Sequence, residues 1–301
     1  MNVLIAGGTG FIGQALSRHL LGRGHRVSVL SRRPSAPDAF PAVFHWDPER
    51  GELDPRALPG IEAVVNLAGE NLASGRWTRE RKRRLVESRV APTRFLVRKM
   101  SEREPRPGTL VSASAVGIYG NRGEEVLVET SAPGEGILAE LCRAWEAETL
   151  AAREAGIRTV VLRFGAVLDS RGGVLAKLVP VFRLGIGGTL GSGKHWMSWI
   201  ALADVMQAIE LALTNERLEG PVNAVAPLPV RNRELTRALG RILNRPALLP
   251  VPAPVLRLMF GEMADEALLS STRAVPERLA ALGYRFLYPE LLPALRAAIK
   301  L

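Results

Sequence analysis

The chain has 301 residues, 47% of them hydrophobic, which is enough to bury one large core, or a core and a smaller satellite, without disulfide or metal staples. Its apolar residues lie in short runs, its first residues lead straight into a strand with no export leader, and its one cysteine, Cys142, excludes a disulfide framework and a cysteine-rich zinc site. A net charge of +10 invites a nucleic-acid reading, but arginine is scattered throughout, and the one dense run, RWTRERKRR at 76–84, reads as a solvated helix face. The expectation is a cytoplasmic protein with no membrane, nucleic-acid or metal partner.

Taken in chain order, the first 165 residues alternate short β-branched runs with helical segments, the form of a parallel sheet covered on both faces. VLIAG at 3–7 predicts a buried strand. FIGQALSRHLLGRG at 11–24 then places Ile12, Leu16, Leu20 and Leu21 on one helical face. Further strands are expected at RVSVLSRRP, beginning at Arg26, and at 43–46, 62–69, 109–114 and 158–165, with helices at about 78–103, broken near Pro92, and about 136–155. Beyond residue 165 the texture changes: GIGGTLGSGKHW is a glycine-rich loop, 199–215 is a helical run with Asp204 near its start, and PVNAVA at 221–226 is a late strand. The pattern predicts two interleaved parts. A nucleotide-binding domain takes 1–165 and about 196–226, and a substrate subdomain takes about 166–195 and 227–301.

AGGTGFIG at 6–13 sits between an apolar strand and an amphipathic helix, the context that gives a glycine pattern meaning. Such a loop lets backbone amides approach a pyrophosphate resting on the helix amino terminus, so Gly7, Thr9, Gly10, Phe11, Ile12 and Gly13 are expected to line a dinucleotide. The next strand ends in Ser31, Arg32 and Arg33. A carboxylate there would bind a ribose 2′-hydroxyl, whereas guanidinium groups bind a 2′-phosphate, so the expected cofactor is NADP(H).

These residues resemble the short-chain dehydrogenase/reductase superfamily in its extended, sugar-nucleotide-epimerase-like branch. GGTGFIG is similar to the extended-type glycine loop, NLAG at 66–69 to the motif after the fourth strand, SASAVGIYG at 112–120 to the serine-bearing segment, and RFGAVLDSRGG at 163–173 to the segment after the sixth. NLAGENL, LAELCRAWE, GSGKHWMSWI and GEMADEALL narrow the resemblance to the "epimerase family" NAD(P)-binding oxidoreductases, with a small carboxy-terminal domain at about 247–298. The resemblance implies a Rossmann-type doubly wound α/β fold with a small, mostly helical carboxy-terminal subdomain, acting on a small-molecule substrate as a monomer or homodimer. It adds Leu67, Ala68, Gly69, Glu70, Arg163 and Phe164 to the expected cofactor contacts. Relatives commonly carry histidine where this chain has Ala201.

In that superfamily a tyrosine and a lysine four residues on exchange the substrate proton and hold the ribose, and a serine positions the substrate oxygen. Here Leu138 and Cys142 stand at the tyrosine and lysine positions, and no Tyr-x-x-x-Lys occurs anywhere. Ser114 remains at the serine position. The substitutes open for the proton are Tyr119, if Arg143, Arg89 or Lys194 lowers its pKa, Glu70 after NLAG, the Cys142 thiol, or bound water, while Lys194 and His195 are placed to meet an anionic substrate. Trp145 and Glu146 read as helix anchors. The expected function is an NADP(H)-dependent oxidoreductase or epimerase-like enzyme. The alternative is a non-catalytic NADP(H)-binding sensor.

Overall fold

Val3 and Ile5 point to one side of the first strand and Leu4 and Ala6 to the other, and all four are fully buried. A strand apolar on both faces belongs at the centre of a sheet with helices on each side. The computed structural model describes residues 1–33, 41–72 and 74–299. Its strands are β1 (Asn2–Ala6), β2 (Arg26–Ser31), β3 (Ala42–Asp47), β4 (Glu52–Leu53), β5 (Ala63–Asn66), β6 (Thr109–Ala115), β7 (Val126–Leu127) and β8 (Arg158–Phe164). They continue as β9 (Ala166–Asp169), β10 (Gly172–Gly173), β11 (Trp196–Met197), β12 (Trp199–Ala201), β13 (Gly220–Ala224), β14 (Val230–Arg231) and β15 (Arg273–Ala274). The second-strand expectation extends to Pro34, which lies outside the described residues, as do 300 and 301.

The main sheet has the order β13-β8-β6-β5-β1-β2-β3-β4 and is parallel except for the antiparallel β3–β4 pair. From β1 the chain builds outward through β2 and β3, then returns to add β5, β6, β8 and β13 on the other side. That reversal leaves a crevice at the carboxyl ends of β1 and β5, where open α/β sheets bind ligands. Helices α1 (Phe11–Gly22) and, later, α5 (Leu202–Thr214) pack on the Val3/Ile5 face through Leu16, Leu20, Val205 and Ile209. Helix α2 (Arg79–Ser101) covers the Leu4/Ala6 face with Phe95, Leu96 and Met100, and α3 (Ile137–Leu150) packs beside it through Leu141, Cys142 and Trp145.

The expected break at Pro92 does not occur: α2 runs through it unbroken. An internal proline costs about 3 kcal/mol in a lost hydrogen bond and a ring clash. Here Pro92 is itself buried, and the following turns are pinned into the core by Phe95, Leu96 and Met100, which offsets that cost.

Helices α4 (Leu175–Arg183), α6 (Asn232–Leu243) and α9 (Leu291–Ile299) close a third cluster with β9 and β12. Between α6 and α9 lie α7 (Ala253–Phe260), a π-helical turn at Ala264–Leu268 and α8 (Glu277–Ala281). This carboxy-terminal part is tied to the sheet domain. Asp204, in the first turn of α5, accepts the backbone amides of Leu287 and Tyr288 at 2.7 and 3.1 Å, and β15 pairs with β7. Among the described residues no helix is long and apolar enough to cross a membrane, and no His/Cys/Asp/Glu group is arranged to hold a metal.

Candidate functional site

The glycine loop leaves β1 through Gly7, whose φ of 76° lies in the left-handed region and whose carbonyl accepts the Gly10 amide at 3.0 Å. A Cβ on Gly7 would stand 2.7 Å from the Leu67 carbonyl, and one on Gly13 would stand 2.3 Å from the Gly7 oxygen. The loop therefore closes only with glycine at both places. Helix α1 begins at Phe11 with Gly10 as its cap, with no side-chain cap bond and no acidic residue in its first turn. Its first amides and the positive end of its dipole are left for an anion, the fit a pyrophosphate requires.

Beside this turn, Ser31 closes β2 with its Oγ accepting the Arg33 amide at 3.1 Å, while Arg32 and Arg33 are exposed and, among the described residues, form no ion pair. No carboxylate occupies 31–33. The facing loop after β5 is held by Asn66, the one residue of NLAG for which the sequence predicts no role. Its Oδ1 accepts the Ala68 amide at 3.2 Å, and its Nδ2 donates to Thr93 Oγ1 at 2.9 Å and to Ser112 Oγ at 3.3 Å. Leu67, Ala68 and Gly69 thus form a fixed wall, with Leu67 against Gly7.

Glu70, expected as a cleft acid, is tied to α2 at three points. Its carboxylate is paired with Arg81 of α2, its amide donates to Ser88 Oγ at 3.2 Å, and its carbonyl accepts Arg89 Nη2 at 2.7 Å. Arg81 belongs to the run at 76–84. Its neighbours Arg83 and Arg84 are solvated, with one-turn partners Glu87 and Glu80, so most of that run is the solvated face expected, and Arg81 and Lys82, which pairs with Glu262, are the exceptions.

Deeper in, one buried polar chain links β6, α3 and β8. Ser114, 3% exposed, donates from Oγ to Glu146 Oε1 at 2.7 Å. Arg163 donates from Nε to the same oxygen at 2.9 Å and from Nη2 to Oε2 at 2.8 Å, a two-point ion pair. From Nη1 it also reaches the Tyr119 hydroxyl at 2.9 Å and the Glu129 carbonyl at 3.2 Å. Tyr119 is 0% exposed, and its hydroxyl lies 2.7 Å from Asn223 Oδ1 and 3.0 Å from the Val128 carbonyl. Burial raises the phenol above its ordinary 10, although the Arg163 charge pulls the other way.

Of the expected cofactor contacts, Arg163 has its guanidinium paired with Glu146, and Phe164 packs in the sheet core. The cation beside Tyr119 is Arg163, while Arg143 bonds the Gly134 carbonyl at 3.3 Å. The anchoring expected at Trp145 and Glu146 is seen, with Trp145 Nε1 donating to Thr93 Oγ1 at 3.0 Å. The signal for the Glu146 pairing was in the chain: an arginine within the apolar run TVVLRFG demands a buried counter-charge.

Leu138 and Cys142, the residues expected at the relay positions, are 8% and 1% exposed, both packed in the α3 core cluster. Burial and then the Glu146 charge push the Cys142 thiol up to about 11, so it is neither a ready nucleophile nor a ready donor. In the glycine-rich loop Lys194 is exposed and His195 is buried, its imidazole held below the usual 6.5 by burial. Next to them Trp196 lies between the Arg231 and Arg273 guanidinium groups, each 4.4 Å from its ring centre, with Glu124 accepting from Trp196 Nε1 and from Arg231.

Known proteins are similar to this chain over nearly its whole length. Residues 3–225 match the NAD dependent epimerase/dehydratase family, and 251–298 match a carboxy-terminal domain of unknown function. An epimerase family protein of Mycobacterium bovis is 44% identical over 284 residues, covering 94% of this chain and 93% of its own. The Bacillus subtilis epimerase family protein YfhF is 36% identical, covering 97% and 95%. The crystal structure of the human epimerase family protein SDR39U1 with NADPH superimposes with a TM-score of 0.90 at 33% identity, covering 100% of this chain and 99% of that one. The Thermus thermophilus UDP-glucose 4-epimerase complex with NAD gives a TM-score of 0.79 at 25% identity, covering 100% and 98%.

Proposed function

Since the chain belongs to the NAD dependent epimerase/dehydratase family, we propose that it is an NADP(H)-dependent oxidoreductase or epimerase-like enzyme acting on a small polar substrate. The observation that carries the cofactor choice is Arg32 and Arg33 at the end of β2, exposed and with no carboxylate at 31–33. Charge-assisted hydrogen bonds there favour a 2′-phosphate over a bare hydroxyl. The pyrophosphate rests on the uncapped start of α1, and Leu67 to Gly69 form the opposite wall. The human relative solved with NADPH supports the same choice.

Reduced nicotinamide, when bound, supplies hydride to a substrate carbon. Ser114 has its own proton committed to Glu146, so toward the substrate it acts as an acceptor, orienting a hydroxyl beside the reacting carbonyl. Glu146, neutralised by Arg163, holds that serine in one rotamer. Tyr119 is closed off behind Arg163 and Asn223, and Glu70 is committed to Arg81, so the proton exchanges with bound water at Ser114. Turnover of a carbonyl panel with NADPH, compared between wild type and Ser114→Ala, tests this reading. Activity that survives the substitution sinks it.

One observation favours a second reading, an NADP(H)-binding sensor without catalysis. The two relay positions, Leu138 and Cys142, are filled by buried groups with no acid or base chemistry near neutral pH. Protein that retains reduced nicotinamide which no carbonyl in the panel oxidises supports the sensor.

A further inference from the structure

Arg89, near the middle of α2, is 7% exposed, yet its hydrogen bonds go only to neutral oxygens: the Leu85 carbonyl at 3.0 Å, Ser88 Oγ at 3.3 Å and the Glu70 carbonyl at 2.7 Å. The nearby Glu70 carboxylate is engaged by Arg81. A buried cation with no counter-ion of its own is costly, and burial lowers this guanidinium to about 10. Its surroundings show what would offset that cost. The Cβ position of Gly69 lies 3.1 Å from Arg89 Nε and Cζ, so the guanidinium packs directly against the loop that forms one wall of the crevice. Among the described residues, Nε makes no hydrogen bond. On its other side the guanidinium carbon lies 5.3 Å from the Trp145 ring centre, and its charge acts on the Cys142 thiol. Cys142 occupies the position from which the superfamily's lysine reaches the cofactor ribose.

The geometry points to Arg89 as a cofactor-binding residue whose guanidinium, carried in on α2, donates to the hydroxyl oxygens of the nicotinamide-side ribose, the task for which α3 here has no lysine. A planar group with several fixed donors suits a pair of neighbouring hydroxyls. Stacking on Trp145 and the bond to the Glu70 carbonyl hold its plane. This inference rests on the NADP(H) reading above.

The test compares equilibrium binding of NADPH with that of adenosine 2′,5′-bisphosphate, which carries the phosphorylated adenosine end and lacks the nicotinamide end. For Arg89→Met, NADPH affinity falls by about tenfold to a hundredfold, the value of one hydrogen bond to a charged group, while bisphosphate affinity is unchanged. Arg89→Gln, which keeps donors for the Glu70 and Leu85 carbonyls, shows the same split and decides the matter if the methionine variant does not fold. Unchanged NADPH affinity, or equal loss for both ligands, overturns the assignment, since a merely structural arginine weakens both alike. Wild-type protein that binds neither ligand refutes the underlying cofactor reading instead.

Discussion

Ser114 Oγ and Glu146 Oε1 lie 2.7 Å apart across the β6–α3 interface, with Arg163 clamping both oxygens of the same carboxylate. The serine at the end of β6 is therefore oriented by a buried ion pair instead of by a tyrosine on α3. That pair fixes the cleft wall, and it is also a point of vulnerability.

Removing Glu146 strands the Arg163 charge in the core. Glu146→Ala is expected to lower stability by about 3 to 5 kcal/mol, and Glu146→Leu with Arg163→Met by much less, because the double change removes both charges together. Urea unfolding of the three proteins checks this. A loss below about 1 kcal/mol in the single variant contradicts the buried pair.

Ser114→Ala is expected to reduce kcat/KM for any substrate that is turned over by about a hundredfold, the scale of a lost positioning contact. The NADPH affinity should stay within about twofold, since the serine is assigned to the substrate and not to the dinucleotide. Glu70→Gln, in contrast, should leave turnover close to wild type, because its carboxylate is engaged by Arg81. A collapse of turnover in Glu70→Gln would restore it as the acid.

The Cys142 thiol has an ordinary value of 9.0 and is raised to about 11 by burial and by Glu146. The folded protein holds this proton more tightly than the unfolded chain does. Its contribution is complete below pH 9 and fades as the pH climbs toward about 11, on the order of 3 kcal/mol in total. Cys142→Ala should therefore show a flatter stability profile over that interval. In the wild type a thiol reagent at pH 8 should label only after denaturant is added, and rapid labelling of the native protein would contradict the burial.

Helix α3 has no cap of its own, and the carboxylate of Glu266, from the π-helical turn of the carboxy-terminal part, accepts the Leu138 amide at 3.2 Å. Glu266→Ala is expected to destabilise by about 1 kcal/mol, the value of a capping acceptor at a helix amino terminus. Thermal melts that do not shift would show the contact to be dispensable.

Much of the fold was legible because it is written locally. β1, β2, β5, β6 and β8 are short apolar runs, the glycine loop needs only its flanking strand and helix, and the absence of any Tyr-x-x-x-Lys is visible by counting along the chain. Helix α2 passing through Pro92 was not legible, since its continuity depends on burial of the turns on either side. The fate of Tyr119 and Glu70 was not legible either. Each was judged by its place in a loop, but their partners, Arg163 with Asn223 and Arg81, come from β8, β13 and α2, brought together only by tertiary packing. In the sequence Arg89 is only one of three cations that could serve Tyr119. Its stacking on Trp145 and its approach to Gly69 depend on how α2 and α3 pack against the loop after β5.

The central claim, a dinucleotide site built for a 2′-phosphate, is tested most directly by equilibrium titration of NADPH and NADH against the wild type and the Arg32→Ala/Arg33→Ala variant. The wild type should prefer NADPH by about tenfold to a hundredfold, and the variant should lose that preference while keeping its NADH affinity. Equal affinity for the two cofactors in the wild type, or a preference that survives loss of both arginines, would contradict it.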